Sequence, residues 1–285
     1  MSKEVSLNTT HTVIQPSHNN FDLKLKELWH YRDLLGLLVK RDFVSFYKQT
    51  IFGPLWFFIQ PIFTTIVFTF IFGGLAKIST EGIPQPVFYL AGITCWNYFA
   101  ECLTKTSTVF KDNAPIFGKV YFPRLIIPLS IVFSNLVKFG VQFLLFIAVL
   151  AYFLFNGAQV HCNAYLLLFP LLVLLMAAQG LGFGLIISAL TNKYRDLSFL
   201  VTFGVQLAMY ATTVVYPLSA APAKYVWLIK LNPMTPIIEF TRYGFLGQGN
   251  HDWGMLSYAV GVTVGLLLVG VFIFNKIEKN FIDTV

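Results

Sequence analysis

The sequence predicts an all-α polytopic membrane protein, and three observations carry that prediction. Of its 285 residues 56% are hydrophobic and only 12% charged, with a mean hydropathy of +0.68, too apolar for a soluble domain of this length. The apolar residues fall in continuous runs of about 20, the length that crosses roughly 30 Å of hydrocarbon as a helix. These runs lack the two-residue alternation of barrel strands, which argues against a β-barrel.

The elements follow in chain order. Residues 1–22 are polar, with no apolar core region, so a cytoplasmic tail without a cleaved signal peptide is expected. Residues 23–50 are expected to form an amphipathic interface helix. Leu28, Tyr31, Leu35, Leu38, Val39, Phe43 and Phe46 share an arc of about 140°. Arg32 and Asp42 interrupt that arc, and Leu34 and Leu37 fall outside it. Its basic flanks suit an anionic membrane surface, where it would act as an anchor or as a docking face for a soluble partner. Charge stops at Lys48 and returns only at Lys77, so the chain enters the bilayer between them, with a bend expected at Gly53-Pro54.

Six transmembrane helices are expected, near 54–75, 86–108, 125–155, 164–190, 198–216 and 255–274. Together with their connections they make a transmembrane domain over 51–277, followed by a short C-terminal tail at 278–285. The connection at 111–124 is bracketed by Pro115 and Pro123 and interleaves Ile116, Phe117, Val120, Tyr121 and Phe122 with Lys111, Lys119 and Arg124. It reads as a short amphipathic element for the membrane face or a partner, or as an ordinary loop. The connection at 217–250 contains Pro217, Pro222, Pro233 and Pro236 and then a short apolar piece at 237–246. That piece cannot span and fits an outer re-entrant or interfacial helix. Fifteen Lys and Arg residues fall on the side of the termini and four on the other, which predicts both termini in the cytoplasm.

The chemistry-bearing residues are few. A formal charge of +7 is spread over the ends of the spans and forms no nucleic-acid footprint. Cys95, Cys102 and Cys162 and the five histidines have no metal-ligand spacing, so no metal is expected. No GxxxxGK[ST] phosphate loop occurs, so energy from ATP would come from another polypeptide. Gly180-Leu181-Gly182-Phe183-Gly184 lies in an apolar span and suits close helix packing, as does the Gly261 and Gly265 pair.

Within the spans the charges are Glu101, Lys105 and Lys138. Glu101 and Lys105 are spaced for an i, i+4 salt bridge, and Lys138 shares a polar face with Ser134, Asn135 and Gln142 that is expected to meet protein. Structural pairing, channel lining and ion coupling all remain open for these three. Tyr89, Trp96 and Phe99 fall on one face of the second span, and Thr202, Gln206, Tyr210 and Thr213 on one face of the fifth. With Phe57 and Gln60 of the first span they are candidates for a pathway wall. Aromatic rings carry apolar sugar faces while Gln, Thr and Tyr meet hydroxyls; plain packing and an interfacial belt are the alternative.

An ordered series of motifs covers about residues 30–285: Arg41 with Asp42, Tyr47-Lys48-Gln49, Gly53-Pro54-Leu55-Trp56, Gln60-Pro61, Gly92 with Trp96, Asn113 through Lys119 to Phe122-Pro123-Arg124, Tyr194-Arg195-Asp196, and Asn232-Pro233-Met234-Thr235-Pro236. This series resembles the permease subunit of polysaccharide-exporting ABC transporters of the type-2 membrane fold, the family of O-antigen, capsule and teichoic acid exporters. The resemblance implies a homodimer in the bacterial inner membrane, joined to two ATPase subunits that bind ATP and Mg, with no cofactor in this chain itself. It also implies a lipid-linked glycan as substrate. The helix ending near Tyr47 would be the interface helix. Asn113, Ile116, Phe117, Lys119 and Val120 would seat in the ATPase, and 217–250 would close the outer mouth. By charge, Arg41, Lys48 and Arg124, with Tyr47 beside them, are candidates for headgroup or ATPase contacts. Related permeases for drugs or other lipids, a membrane-embedded glycosyl enzyme, and a secondary transporter coupled through Glu101, Lys105 and Lys138 are the competing readings. The enzyme would need an acidic pair or a metal cluster, and Glu81, Glu239 and Asp252 are isolated in the sequence.

Overall fold

A computed structural model describes residues 25–48, 52–117, 122–194 and 196–282, and among them every regular element is a helix. The helices are α1 (Leu25–His30), α2 (Arg32–Lys48), α3 (Trp56–Phe68), α4 (Gln85–Ser107), α5 (Val109–Asp112), α6 (Ala114–Phe117), α7 (Ile126–Phe155), α8 (Phe169–Lys193), α9 (Leu197–Tyr210), α10 (Val226–Leu231), α11 (Met234–Leu246) and α12 (Trp253–Ile282). The tail at 1–22, Lys119, Val120 and the side chain of Tyr47 lie outside the described residues. The expected tail at 278–285 begins as helix, because α12 runs on to Ile282.

Among the described residues four stretches are long and apolar enough to cross a membrane: Gly53–Leu75, Ile126–Phe155, Ala164–Lys193 and Trp253–Ile277. The first opens where the bend is expected. Gly53 adopts φ +50°, a left-handed conformation that glycine accepts without strain, and a short tight turn with Pro54 leads into α3. Past Phe68 the helix widens, and the Ala76 amide donates to the Ile71 carbonyl at 2.8 Å.

The segment expected as the second span, α4, is absent from those four for a physical reason. It is the central helix, with α3, α7, α8, α9 and α11 packed around it, and its residues from Val87 to Trp96 are all buried. A helix surrounded by protein has no need of a lipid-facing surface, so it carries Thr94, Glu101 and Lys105 within its length. Close approach to it depends on α8. A methyl group added at Gly180 would come within 2.6 Å of Cys102 Cβ, and one at Gly184 within 2.5 Å of Thr106 Cβ. Gly182 turns the other way, onto α12, where an added Cβ would lie 3.0 Å from Leu266. Gly261 and Gly265 do not share this role: nothing lies within 4 Å of a Cβ at either, and the α12 glycine that meets α8 is Gly270.

The helix at the expected fifth span is shorter than the sequence predicts. α9 stops at Tyr210, and Ala211 to Tyr216 continue as turns with Thr212, Thr213, Val214 and Val215 buried. Irregular backbone in a membrane protein is tolerable only where protein satisfies its polar groups. Here Arg242 of α11 does so: its guanidinium donates to the carbonyls of Thr213 and of Val214, the latter at 2.9 Å. The same group donates to the Phe88 carbonyl at 3.3 Å and lies 3.5 Å from the Phe88 ring centroid. Gly92 makes room for it, since a Cβ there would be 2.8 Å from the guanidinium. Glu239, one turn earlier on α11, sits 3.7 Å from Arg242 and accepts from the Asn250 amide at 2.8 Å. α11 is therefore a buried helix fixed to α4 and to the end of α9.

Two apolar cores result. The larger fills the bundle around α4 and continues to the α11 end. The smaller, at the α2 end, joins Leu38 of α2, Phe110 of α5, Phe117 of α6, Ile126 of α7, Leu185 of α8 and Phe274 of α12. In it Phe110 and Phe274 stack at 4.8 Å.

Candidate functional site

Between α2 and the bundle lies a cavity of about 490 Å³. α2 contributes Arg41, Asp42, Phe43 and Ser45, α3 contributes Phe57, and α4 contributes Lys105. Asp112, Asn113 and Ile116 close it from the α5–α6 segment, and α7 presents Ser134, Asn135 and Lys138. Sequence order explains the convergence. The helix before the bilayer folds over the start of α3, with Phe43 and Phe57 at 6.4 Å between ring centroids, so its charged face looks along the polar stripe of α7. That stripe faces protein as expected: Ser134, Asn135 and Gln142 are all buried.

The charges in the cavity are unequally satisfied. Arg41 directs both Nε and Nη2 to Asp42 Oδ1, at 3.0 and 2.8 Å, and Asp42 Oδ2 accepts from the Ser134 hydroxyl at 3.4 Å. Lys138 binds Glu101 at 3.0 Å and also lies 5.9 Å from the Phe57 ring centroid. This overturns the expected pairing of Glu101 with Lys105. One turn apart on α4, Glu101 points to α7 and Lys105 into the cavity, and among the described residues Lys105 has no carboxylate within salt-bridge range. Asp112 accepts from Thr108 at 2.6 Å, and the Asn113 side-chain amide donates to the Val109 carbonyl at 3.1 Å. An exposed ammonium opposite a guanidinium, within reach of hydroxyl and amide donors, is a setting for a multiply charged anion.

Other expected site residues are placed differently. Arg124 does not line the cavity; it is buried, stacked 5.3 Å from the Phe117 ring centroid. Phe117 is itself buried between Phe110 and Phe122, so it holds the segment to the bundle and is not offered outward. The apolar side of this four-residue helix enters a core of the same chain. Ile116 is half-buried beside the cavity, while Lys111 and Pro115 are exposed, and Lys48 is exposed at the end of α2. Tyr89 is sealed under the first span, with Phe68 at 6.0 Å and Phe72 at 6.5 Å, so it forms no free wall with Trp96 and Phe99. Trp96 and Phe99 instead border an apolar groove of about 510 Å³ shared with Phe183, Val205 and Leu228. Gln60, Gln206 and Tyr210 are exposed on the outside of the protomer.

Sequence reasoning missed the cavity roles of Asp42, Ser45 and Asp112, and the clamp made by Arg242. For Arg242 a signal existed, because Glu239 and Arg242 are spaced i, i+3 inside a short apolar run. Among the described residues no group of three or more His, Cys, Asp or Glu side chains could hold a metal ion.

A helical membrane protein with a central buried helix, a surface helix at its entry and a charged cavity beneath that helix has the outline of a transporter membrane domain. The chain belongs to the ABC-2 type transporter family, whose model matches residues 33–246. It is 31% identical over 264 residues, 92% of this chain and 98% of the relative, to the O-antigen export system permease protein RfbA of Klebsiella pneumoniae. It is 28% identical over 265 residues, 92% of this chain and 98% of the relative, to RfbA of Myxococcus xanthus. To the polysialic acid transport protein KpsM of Escherichia coli it is 20% identical over 236 residues, 81% of this chain and 88% of the relative.

Proposed function

We propose that this chain is the membrane-spanning subunit of an ATP-driven exporter that carries a lipid-linked polysaccharide, such as an O-antigen or capsule-like glycan, from the cytoplasmic face across the inner membrane. The observation that carries this reading is the similarity to polysaccharide-export permeases along nearly the whole chain. In this reading α4, and α9 with the turns after it, complete six spans, and both termini are cytoplasmic, as the fifteen-to-four distribution of Lys and Arg favours. The segment from α10 to α11 closes the outer mouth as a re-entrant structure. Two copies of the chain associate with two ATPase subunits, which supply the nucleotide site absent from this sequence and bind ATP and Mg. Exposed Lys111 and Pro115, with Asn113, Lys119 and Val120, form the ATPase-facing edge.

The cavity under α2 is the entry site for the anionic headgroup of the lipid carrier. Lys105 and Arg41 hold the headgroup's phosphates, Lys138 tunes the local charge, and Lys48 and Tyr47 flank the approach. Phe57 and Gln60 then begin the path along which the glycan leaves, and Trp96, Phe99, Gln206 and Tyr210 line its later course where protomers meet. Weak contacts to rings and hydroxyl-binding side chains suit a chain that must slide.

The test is purification together with an ATPase encoded beside this protein. A stable complex with measurable ATP hydrolysis is expected, and Lys111→Glu should lower the yield of complex while leaving membrane insertion intact. Failure of any neighbouring ATPase to co-purify, or transport that depends on a proton gradient and not on ATP, would contradict the reading.

A further inference from the structure

At the α11 end of the bundle four aromatic rings from three separate segments are held together. The loop before α8 caps the C-terminus of α11: the Asn163 side-chain amide donates to the Tyr243 carbonyl at 2.8 Å, the Asn163 backbone amide to the Gly244 carbonyl at 3.1 Å, and the Cys162 thiol to the Phe245 carbonyl at 3.2 Å. These bonds satisfy carbonyls that a helix end leaves without partners. Gly244 lets the loop approach closely, since a Cβ there would lie 3.1 Å from the Leu166 amide. The consequence is that Tyr165 meets Tyr243 at 5.0 Å. On the other side Glu239 fixes Asn250, and His251 then stacks on Tyr243 at 4.3 Å with 18° between the planes. Trp253 completes the cluster 6.0 Å from Tyr165.

We propose that Tyr165, Tyr243, His251 and Trp253 form a sugar-binding platform that receives pyranose units as the glycan leaves the protein. The proposal rests on the exporter reading above. His251 and Trp253 are exposed, Trp253 by 53%. Among the described residues the two phenol hydroxyls, the imidazole and the indole N–H have no hydrogen-bond partner, so their polar edges are available to hydroxyl groups. Asn250 and Asp252 stand between the ring-bearing positions as further polar groups. Ring faces bordered by a few donors and acceptors match a sugar, whose C–H faces are apolar and whose rim is polar. An anionic lipid headgroup fits less well, because the cluster contains no Lys or Arg. The rings also differ from a membrane-interface belt, in which aromatics stand singly, as Tyr225 and Trp227 do on the exposed side near α10.

The test uses the full complex in cells. With p-benzoylphenylalanine in place of Trp253, illumination should give a high-mass adduct that is destroyed by periodate. In a separate strain His251→Ala with Trp253→Ala should lower surface glycan about fivefold, while complex yield and ATP hydrolysis stay at wild-type levels. Trp253→Phe should retain most export. An adduct that is phospholipid and not glycan, or undiminished surface glycan in the double variant, overturns the platform and leaves the exporter reading standing. Loss of the ATPase complex in the wild-type protein would instead overturn the exporter reading.

Discussion

At the residue scale, two ion pairs sit where hydrocarbon would reject single charges, and they are satisfied to different degrees. Arg242 and Glu239 are 1% and 2% exposed, and between them they bind three backbone carbonyls and one amide. Removing one partner strands the other. Arg242→Met should therefore cost about 3–5 kcal/mol, and adding Glu239→Gln should recover part of it. Thermal unfolding in detergent checks this, and an unchanged midpoint for Arg242→Met would refute the clamp. Glu101 and Lys138 are half-open, and Lys138 borders the cavity with Glu101 behind it, so their role is electrostatic tuning. Glu101→Gln removes the negative charge beside Lys138 and should tighten binding of a polyprenyl diphosphate about threefold or more, whereas Lys105→Ala should weaken it. Changes of the same sign in both variants would argue against headgroup binding. The Glu239–Arg242 pair carried a sequence signal in its i, i+3 spacing, whereas the partner of Glu101 was not legible. The i, i+4 rule favoured Glu101 with Lys105, but α7 offers an ammonium at 3.0 Å across the helix interface.

At the element scale, α8 is the strut on which the bundle closes, because its glycines alternate between two neighbours. Gly182→Val should overpack the contact with α12 and cost about 1–3 kcal/mol. Gly261→Val, which meets open space, should change stability by less than about 0.5 kcal/mol. Equal melting temperatures for the two variants would remove the distinction. Helices α7 and α8 and the start of α12 were readable within about five residues, since continuous hydrophobicity dictates them, whereas α12 runs eight residues past the expected end of its apolar span. The start of the first span was equally plain from Gly53-Pro54. The end of α9 was not, because residues 211–215 remain apolar or small and the stop depends on Arg242, which is distant in sequence. Phe117 was misread for a related reason: amphipathicity indicates that one side is buried and does not say against which chain. The ring cluster of Tyr165, Tyr243, His251 and Trp253 had no local signature at all.

At the scale of the whole molecule, the two cores divide the work. The core at the α2 end joins α2, the α5–α6 segment and the end of α12 through Leu38, Phe110, Phe117 and Phe274. Close-packed side chains transmit displacement with little slack, so a push on α5–α6 reaches α2 and the cavity wall together. Phe110→Ala should loosen that block by about 3–5 kcal/mol and uncouple ATP hydrolysis from export, while the Arg242 clamp at the far end remains intact. Hydrolysis and export that fall in equal proportion would show that the block does not relay motion. In the proposed function the charged cavity under α2 receives the anionic headgroup of a lipid-linked glycan. The most direct measurement is the ATP hydrolysis rate of the reconstituted complex titrated with polyprenyl diphosphate, in wild type and in Lys105→Ala. Stimulation should saturate in the wild type and need about tenfold more ligand in the variant. No stimulation, or superimposable titrations, would contradict it.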